Sequence, residues 1–203
     1  MALVRHTVVA TADDVPPDRD DWLADLTSDE ASIRRRAARA LAEMPDAVPV
    51  LCAHLANEQS LSVRSIILTG LIVHKSAAVV NGILPLLASE DANLRNSAIE
   101  ALQQMPDEVA PHVETMLTHP ESDVRIFAVD VLAALAHPKV PEWLRHVVTN
   151  DPHVNVCAAA LDALAEAGEP DAIPALEGLA ERFWDVAFIR FAVDAAVRRV
   201  RGR

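Results

Sequence analysis

An aliphatic residue followed by arginine recurs at a near-constant interval along the chain, as Ile33-Arg34, Val63-Arg64, Leu94-Arg95, Val124-Arg125 and Ile189-Arg190. Val156-Cys157 stands in the one gap, with cysteine in the arginine's place. The second residues of these six pairs are separated by 30, 31, 30, 32 and 33 positions. A fixed period of that length makes each repeat one supersecondary unit, too small to bury an apolar face alone, so the fold has to be a stack. Within each unit the apolar pattern continues at helical spacing. Three residues after the arginine position stand Ala37, Ile67, Ala98, Ala128, Ala160 and Val193, and seven after it stand Leu41, Leu71, Leu102, Leu132, Leu164 and Val197.

The start of this helix is signalled as well. Glu30, Asp91 and Glu121 lie four residues before the arginine, with Asp29, Asp151 and Asp185 nearby in other units, where a helix N-terminus favours acid. Upstream runs a second apolar segment in each unit, often opened by proline (Pro49, Pro111, Pro141, Pro174) at the turn where a missing N–H costs nothing. Met44-Pro45-Asp46, Met105-Pro106-Asp107, His137-Pro138 and Glu169-Pro170 end one unit before the next begins. Nothing between residues 19 and 203 alternates with the period of two that a strand needs, so the chain is predicted to be all-α. The units fall at about 19–46, 47–76, 77–107, 108–138, 139–169 and 170–203. Residues 1–18 read as an extended arm ending at Pro16-Pro17.

The acid, aliphatic-Arg, Ala and Leu pattern resembles the HEAT repeat, in the short form of about 30 residues found in phycobilisome-lyase-like proteins, and it covers roughly nine-tenths of the chain. The resemblance implies a right-handed α-α superhelix, a solenoid of about six HEAT-like helix pairs. It also implies that each arginine pairs with an acid at a helix start of its own or an adjacent unit, with Glu30, Asp91 and Glu121 as the available partners. Cys157 breaks that pattern and predicts a looser joint. The motif specifies a fold and leaves function to residues grafted on it.

Those residues are sought opposite the core stripe of each second helix, the side that lines the concave groove in similar solenoids. Glu100, Asp130 and Asp162 put a carboxylate at the same place in three consecutive units. Ile66, Val73, Ile126, Phe127 and Phe191 are apolar where a solvent-facing position is expected, and Asn96 lies beside them. An apolar patch rimmed by charge marks a partner surface, so these nine residues are the candidate binding set, for a protein with a basic or apolar face.

Other chemistries lack their residues. A net charge of −12 repels phosphate, which opposes nucleic acid as a partner. Among eight histidines none forms an i, i+4 pair or a Cys-His spacing suited to a metal, and no nucleophile elbow or glycine-rich phosphate loop is present. No catalytic residue, metal or cofactor is therefore assigned. Cys52 and Cys157 read as buried thiols of a reducing compartment. No run approaches the ~18 apolar residues of a membrane span, and Arg5 and His6 interrupt the apolar start, which suits a cytoplasmic chain. The expected function is a non-enzymatic adaptor or assembly factor holding a partner protein in its groove. The alternative implied by the resemblance is a bilin-lyase-like subunit acting in chromophore attachment, for which the second-helix face offers neither an acid–base pair nor an aromatic cradle.

Overall fold

The computed structural model describes residues 17–167 and 170–202, and every regular element among them is helical. In chain order these are α1 (Arg19–Asp25), α2 (Ala31–Leu41), α3 (Val48–Leu55), α4 (Leu61–His74), α5 (Ala77–Ile83), α6 (Ala92–Gln103), α7 (Pro106–Val109), α8 (Val113–Leu117), α9 (Ser122–Ala133), α10 (Val140–Asn150), α11 (Val154–Ala167), α12 (Ile173–Arg182) and α13 (Ala187–Arg201). Short 3-10 turns at Pro45–Ala47, Leu84–Ala88, Ala110–His112 and Pro170–Ala172 lead into or extend the first helix of a unit. All but the last two residues of the predicted arm lie outside the described residues. Asp18 is the N-cap of α1, accepting from the N–H groups of Asp20 and Asp21 at 2.9 and 3.0 Å while its own N–H donates to Asp21.

The helices form two layers. The second helices of the units, α2, α4, α6, α9, α11 and α13, pack each against the next, and the first helices cover them. This is an α-α solenoid of HEAT-like pairs. The stripe read from the period is its core: Ala37, Ile67, Ala98, Ala128, Ala160 and Val193 are buried, as are Leu41, Leu71, Leu102, Leu132, Leu164 and Val197. These belong to one continuous apolar cluster from Leu26 to Val197, because each pair buries its apolar stripe only against its neighbours.

Two glycines set how closely the helices approach. A Cβ on Gly70 in α4 would lie 2.3 Å from the Cβ of Ala42, and one on Gly82 in α5 would lie 2.4 Å from the Cys52 sulfur. Both positions need the bare backbone for steric reasons, since neither glycine adopts a left-handed conformation.

The arginines form a ladder with one constant rung. Arg34, Arg64, Arg95 and Arg125 each donate to the carbonyl six residues earlier, of Ser28, Glu58, Ser89 and His119. The carboxylate partners differ from those expected. Arg64 does meet Asp91, at 2.7 Å, but Arg34 pairs with Glu58 instead of Glu30, and Arg125 with Asp151 instead of Glu121. The partner comes from the turn between the two helices of the next unit, which stacking brings over the guanidinium; Glu30 and Glu121 sit at the starts of their own helices and stay exposed. Arg95 has no carboxylate partner among the described residues, and its guanidinium lies over the Phe127 ring, 4.5 Å from the centroid.

At Cys157 the slot is not loose. The thiol donates to the carbonyl of Asp151, again six residues earlier, at 3.2 Å. Arg182, at the end of α12, supplies the missing guanidinium from the following unit: Nη2 lies 2.9 Å from the Asp151 carbonyl and 2.8 Å from the Cys157 sulfur, and Nη1 donates to the Thr149 carbonyl. The joint expected to be looser is bridged by an arginine from another helix.

Candidate functional site: a cleft between the fourth and fifth units

The first helix of the fourth unit is broken. Pro106 opens the single turn α7, Pro111 interrupts the chain in the 3-10 segment that follows, and only five residues remain for α8. Pro106 sits at the first helical position, where its missing N–H costs nothing, but the Pro111 ring removes an N–H inside the run and crowds the preceding turn, so the segment is not one continuous α-helix. The next first helix, α10, is unbroken over 11 residues because its Pro141 sits at the second position, where no bond is lost. Between the shortened α8 and the full α10 the first-helix layer opens into a cleft of about 600 Å³.

Its walls are apolar. Val113 and Leu117 come from α8, Trp143 and Val147 from α10, and Pro120 and Pro152 from the two turns that follow those helices. Trp143 is half-buried and stacked on His137, with ring centroids 4.8 Å apart and planes 15° from parallel. Three residues on, one helical turn away, His146 lines the same cleft. Glu114 and Glu142 stand exposed in the first turns of α8 and α10, where they complement the helix dipoles.

The Arg125–Asp151 pair also lines the cleft. Arg125 Nε and Nη2 donate to the Asp151 carboxylate at 2.7 and 3.1 Å, and Nη1 donates to the carbonyls of His119 and Pro120. Both side chains are buried, and the hydrogen bond to Asp151 raises the arginine's pKa further. A buried pair of this kind is costly to break from one side, so it pins the fourth unit to the fifth.

The cleft offers few groups for covalent chemistry. Its lining holds no cysteine, serine or lysine, while Glu114, Glu142, His119 and His146 are the groups able to carry a proton. Neither thiol is primed for attack, since burial pushes both Cys52 and Cys157 above the usual thiol range. Among the described residues no group of three or more His, Cys, Asp or Glu side chains is placed to hold a metal ion. No described helix is long and apolar enough to cross a membrane.

None of the nine residues singled out from the sequence lines this cleft. They lie on α4, α6, α9, α11 and α13, in the second-helix layer. Asn96, Glu100, Asp130 and Asp162 are exposed, as are Val73 and Phe191. Although Asp130 is open to solvent at its surface, the protein packed around its carboxyl disfavours the charged form and raises its pKa. Ile66, Ile126 and Phe127 are half-buried and packed against the core. Phe188, exposed one turn before Phe191, extends the apolar stretch at the start of α13. The cleft residues escape a search confined to second helices. The sequence signals for the cleft are Trp143 and His146 three apart on one helix, and Pro111 inside the first-helix segment of the unit before.

The fourth and fifth units also fall within the segment recognised as HEAT repeats, residues 109–193, and residues 33–57 match the PBS lyase HEAT-like repeat. The chain belongs to the HEAT-repeat family. This HEAT protein is 34% identical over 149 residues to the bilin biosynthesis protein PecE of Mastigocladus laminosus, a match covering 71% of the chain and 55% of that relative. It is 32% identical over 127 residues to the PecE of Nostoc sp. PCC 7120, covering 61% and 49%. It therefore spans about half the length of the curated relatives it matches. A solved complex of CpcE and CpcF of phycocyanin lyase from Nostoc sp. PCC7120 matches at 19% identity with a TM-score of 0.37, covering 98% of this chain and 100% of the matched one.

Proposed function

We propose that this HEAT protein is a bilin-lyase-like subunit acting in the attachment of a chromophore to a protein, with the cleft between α8 and α10 receiving the chromophore. The observation that carries the reading is the 34% identity to a bilin biosynthesis protein across 71% of the chain. The cleft supports it in size, since about 600 Å³ is in the range of sites that take drug-sized ligands. The Trp143–His137 stack supplies an aromatic surface beside the cleft. A pure adaptor is the weaker reading because it leaves both the bilin relatives and the cleft without a role. Protein binding remains part of the proposal, through the second-helix face that presents Glu100, Asp130, Asp162 and Phe191, since attachment needs an acceptor.

Co-expression with a bilin source and an apo-phycobiliprotein subunit tests this. The acceptor is expected to carry covalent colour on a denaturing gel only when the chain is present, and Trp143→Ala is expected to reduce that colour at least tenfold. Equal colour with and without the chain, together with no bilin bound to the purified chain, would sink the proposal.

A further inference from the structure

The cleft is lined by a single Lys or Arg side chain, and that one is already used. Arg125 spends Nε and Nη2 on Asp151 and Nη1 on two carbonyls. Arg145, on α10, does not line the cleft. The two histidines are each engaged at Nδ1. His119 Nδ1 accepts from the Glu121 N–H at 3.2 Å, and His146 Nδ1 lies 3.2 Å from the Asn150 amide nitrogen, which can only donate. Glu114 and Glu142 stand exposed and form no ion pair among the described residues, so the net charge facing a ligand is negative.

We infer that the cleft takes a flat conjugated body with N–H donors, neutral or cationic, and leaves any carboxylates on that body in solvent. An anionic group placed inside would meet two carboxylates and no free cation, which costs binding energy, while an N–H edge would find acceptors. Apolar walls and the Trp143 face suit a planar ring system. The inference rests on the proposed bilin reading and deepens it. A bilin has a conjugated chain of nitrogen heterocycles and two propionate tails, so its N–H edge points to Glu114 and Glu142, its rings lie by Trp143, and its propionates stay outside. Glu114 and Glu142 are then specificity-determining residues, selecting donors and rejecting anions.

The test titrates the purified full chain with biliverdin and with biliverdin dimethyl ester, following the visible absorbance of the pigment. The ester is expected to bind within threefold of the free acid. Trp143→Ala should weaken both at least tenfold, and Glu114→Gln with Glu142→Gln should weaken the ester at least threefold. Both glutamates are exposed, so the double variant keeps its fold, which far-ultraviolet circular dichroism checks. If the ester binds tenfold more weakly than the acid while Trp143→Ala still weakens binding, the protein reads the propionates. In that case the inference falls and the cleft's role in bilin binding stands. Unchanged ester binding in the double glutamate variant also overturns it. If neither pigment binds, or Trp143→Ala changes nothing, the cleft reading falls together with the inference.

Discussion

Glu58 concentrates more contacts on one carboxylate than any other acid described above. Arg34 donates to both its oxygens at 2.7 and 2.8 Å, the Ser60 N–H donates at 2.7 Å, and His54 Nε2 lies at 2.9 Å. The Arg34 hydrogen bonds, ahead of the cost of burial, lower its pKa from 4.5 to about 2. A depressed carboxyl pKa stabilises the fold fully above the unfolded value and loses that effect as pH falls toward the folded one. Stability is therefore expected to drop between pH 4.5 and 2, with this group contributing about 3 kcal/mol at neutral pH. Urea midpoints across that range should fall less steeply for Glu58→Gln than for the native chain, and parallel curves would refute the assignment. Leu132 tests the core: it is fully buried, and Leu132→Ala should cost about 2–5 kcal/mol in chemical denaturation. Leu132 is legible in the sequence because period and helical offset fix its burial. The partner of Arg34 is not, because Glu58 stands 24 residues ahead and only stacking selects it over the nearer Glu30.

At the scale of the helix, spacing matters more than residue type. Gly82 lets α5 approach α3 until the place of its absent Cβ lies 2.4 Å from the Cys52 sulfur and 2.7 Å from the Cys52 Cβ. Gly82→Ala should destabilise the chain by about 1–3 kcal/mol through overpacking, and Cys52→Ala in the same chain should restore part of the loss. Thermal unfolding of the two single variants and the double one measures the coupling, and strict additivity would show that the helices had moved apart instead. The helices themselves can be read from proline, acid and apolar spacing. Two departures cannot be read as easily. The Cys157 position reads as a gap until Arg182, 25 residues later, is seen to reach back across the turn. The cleft arises where Pro111 shortens one helix opposite a neighbour of ordinary length, a relation between elements that no single segment displays.

Across the whole molecule stability is a sum over units and the interfaces between them, so end units with one neighbour open more often than middle ones. Amide exchange is expected to be fastest in α1, whose residues are all at least partly exposed, and in α13, and slowest in α6 and α9. Uniform protection from end to end would contradict that. The solenoid was legible because a period is a property of the whole chain, whereas the cleft, on the first-helix layer, lay outside a search that followed the second helices. A stack of pairs is also an elastic object, whose curvature is the sum of small angles at its joints. The cleft straddles one joint, and the Arg125–Asp151 pair crosses the same joint. Its width is thus tied to the local bend, and a molecule lodged there acts as a wedge that sets the angle and stiffens the spring at that place. A ligand held between α8 and α10, as proposed above, would alter how far apart the two ends of the array stand, with no switch in fold.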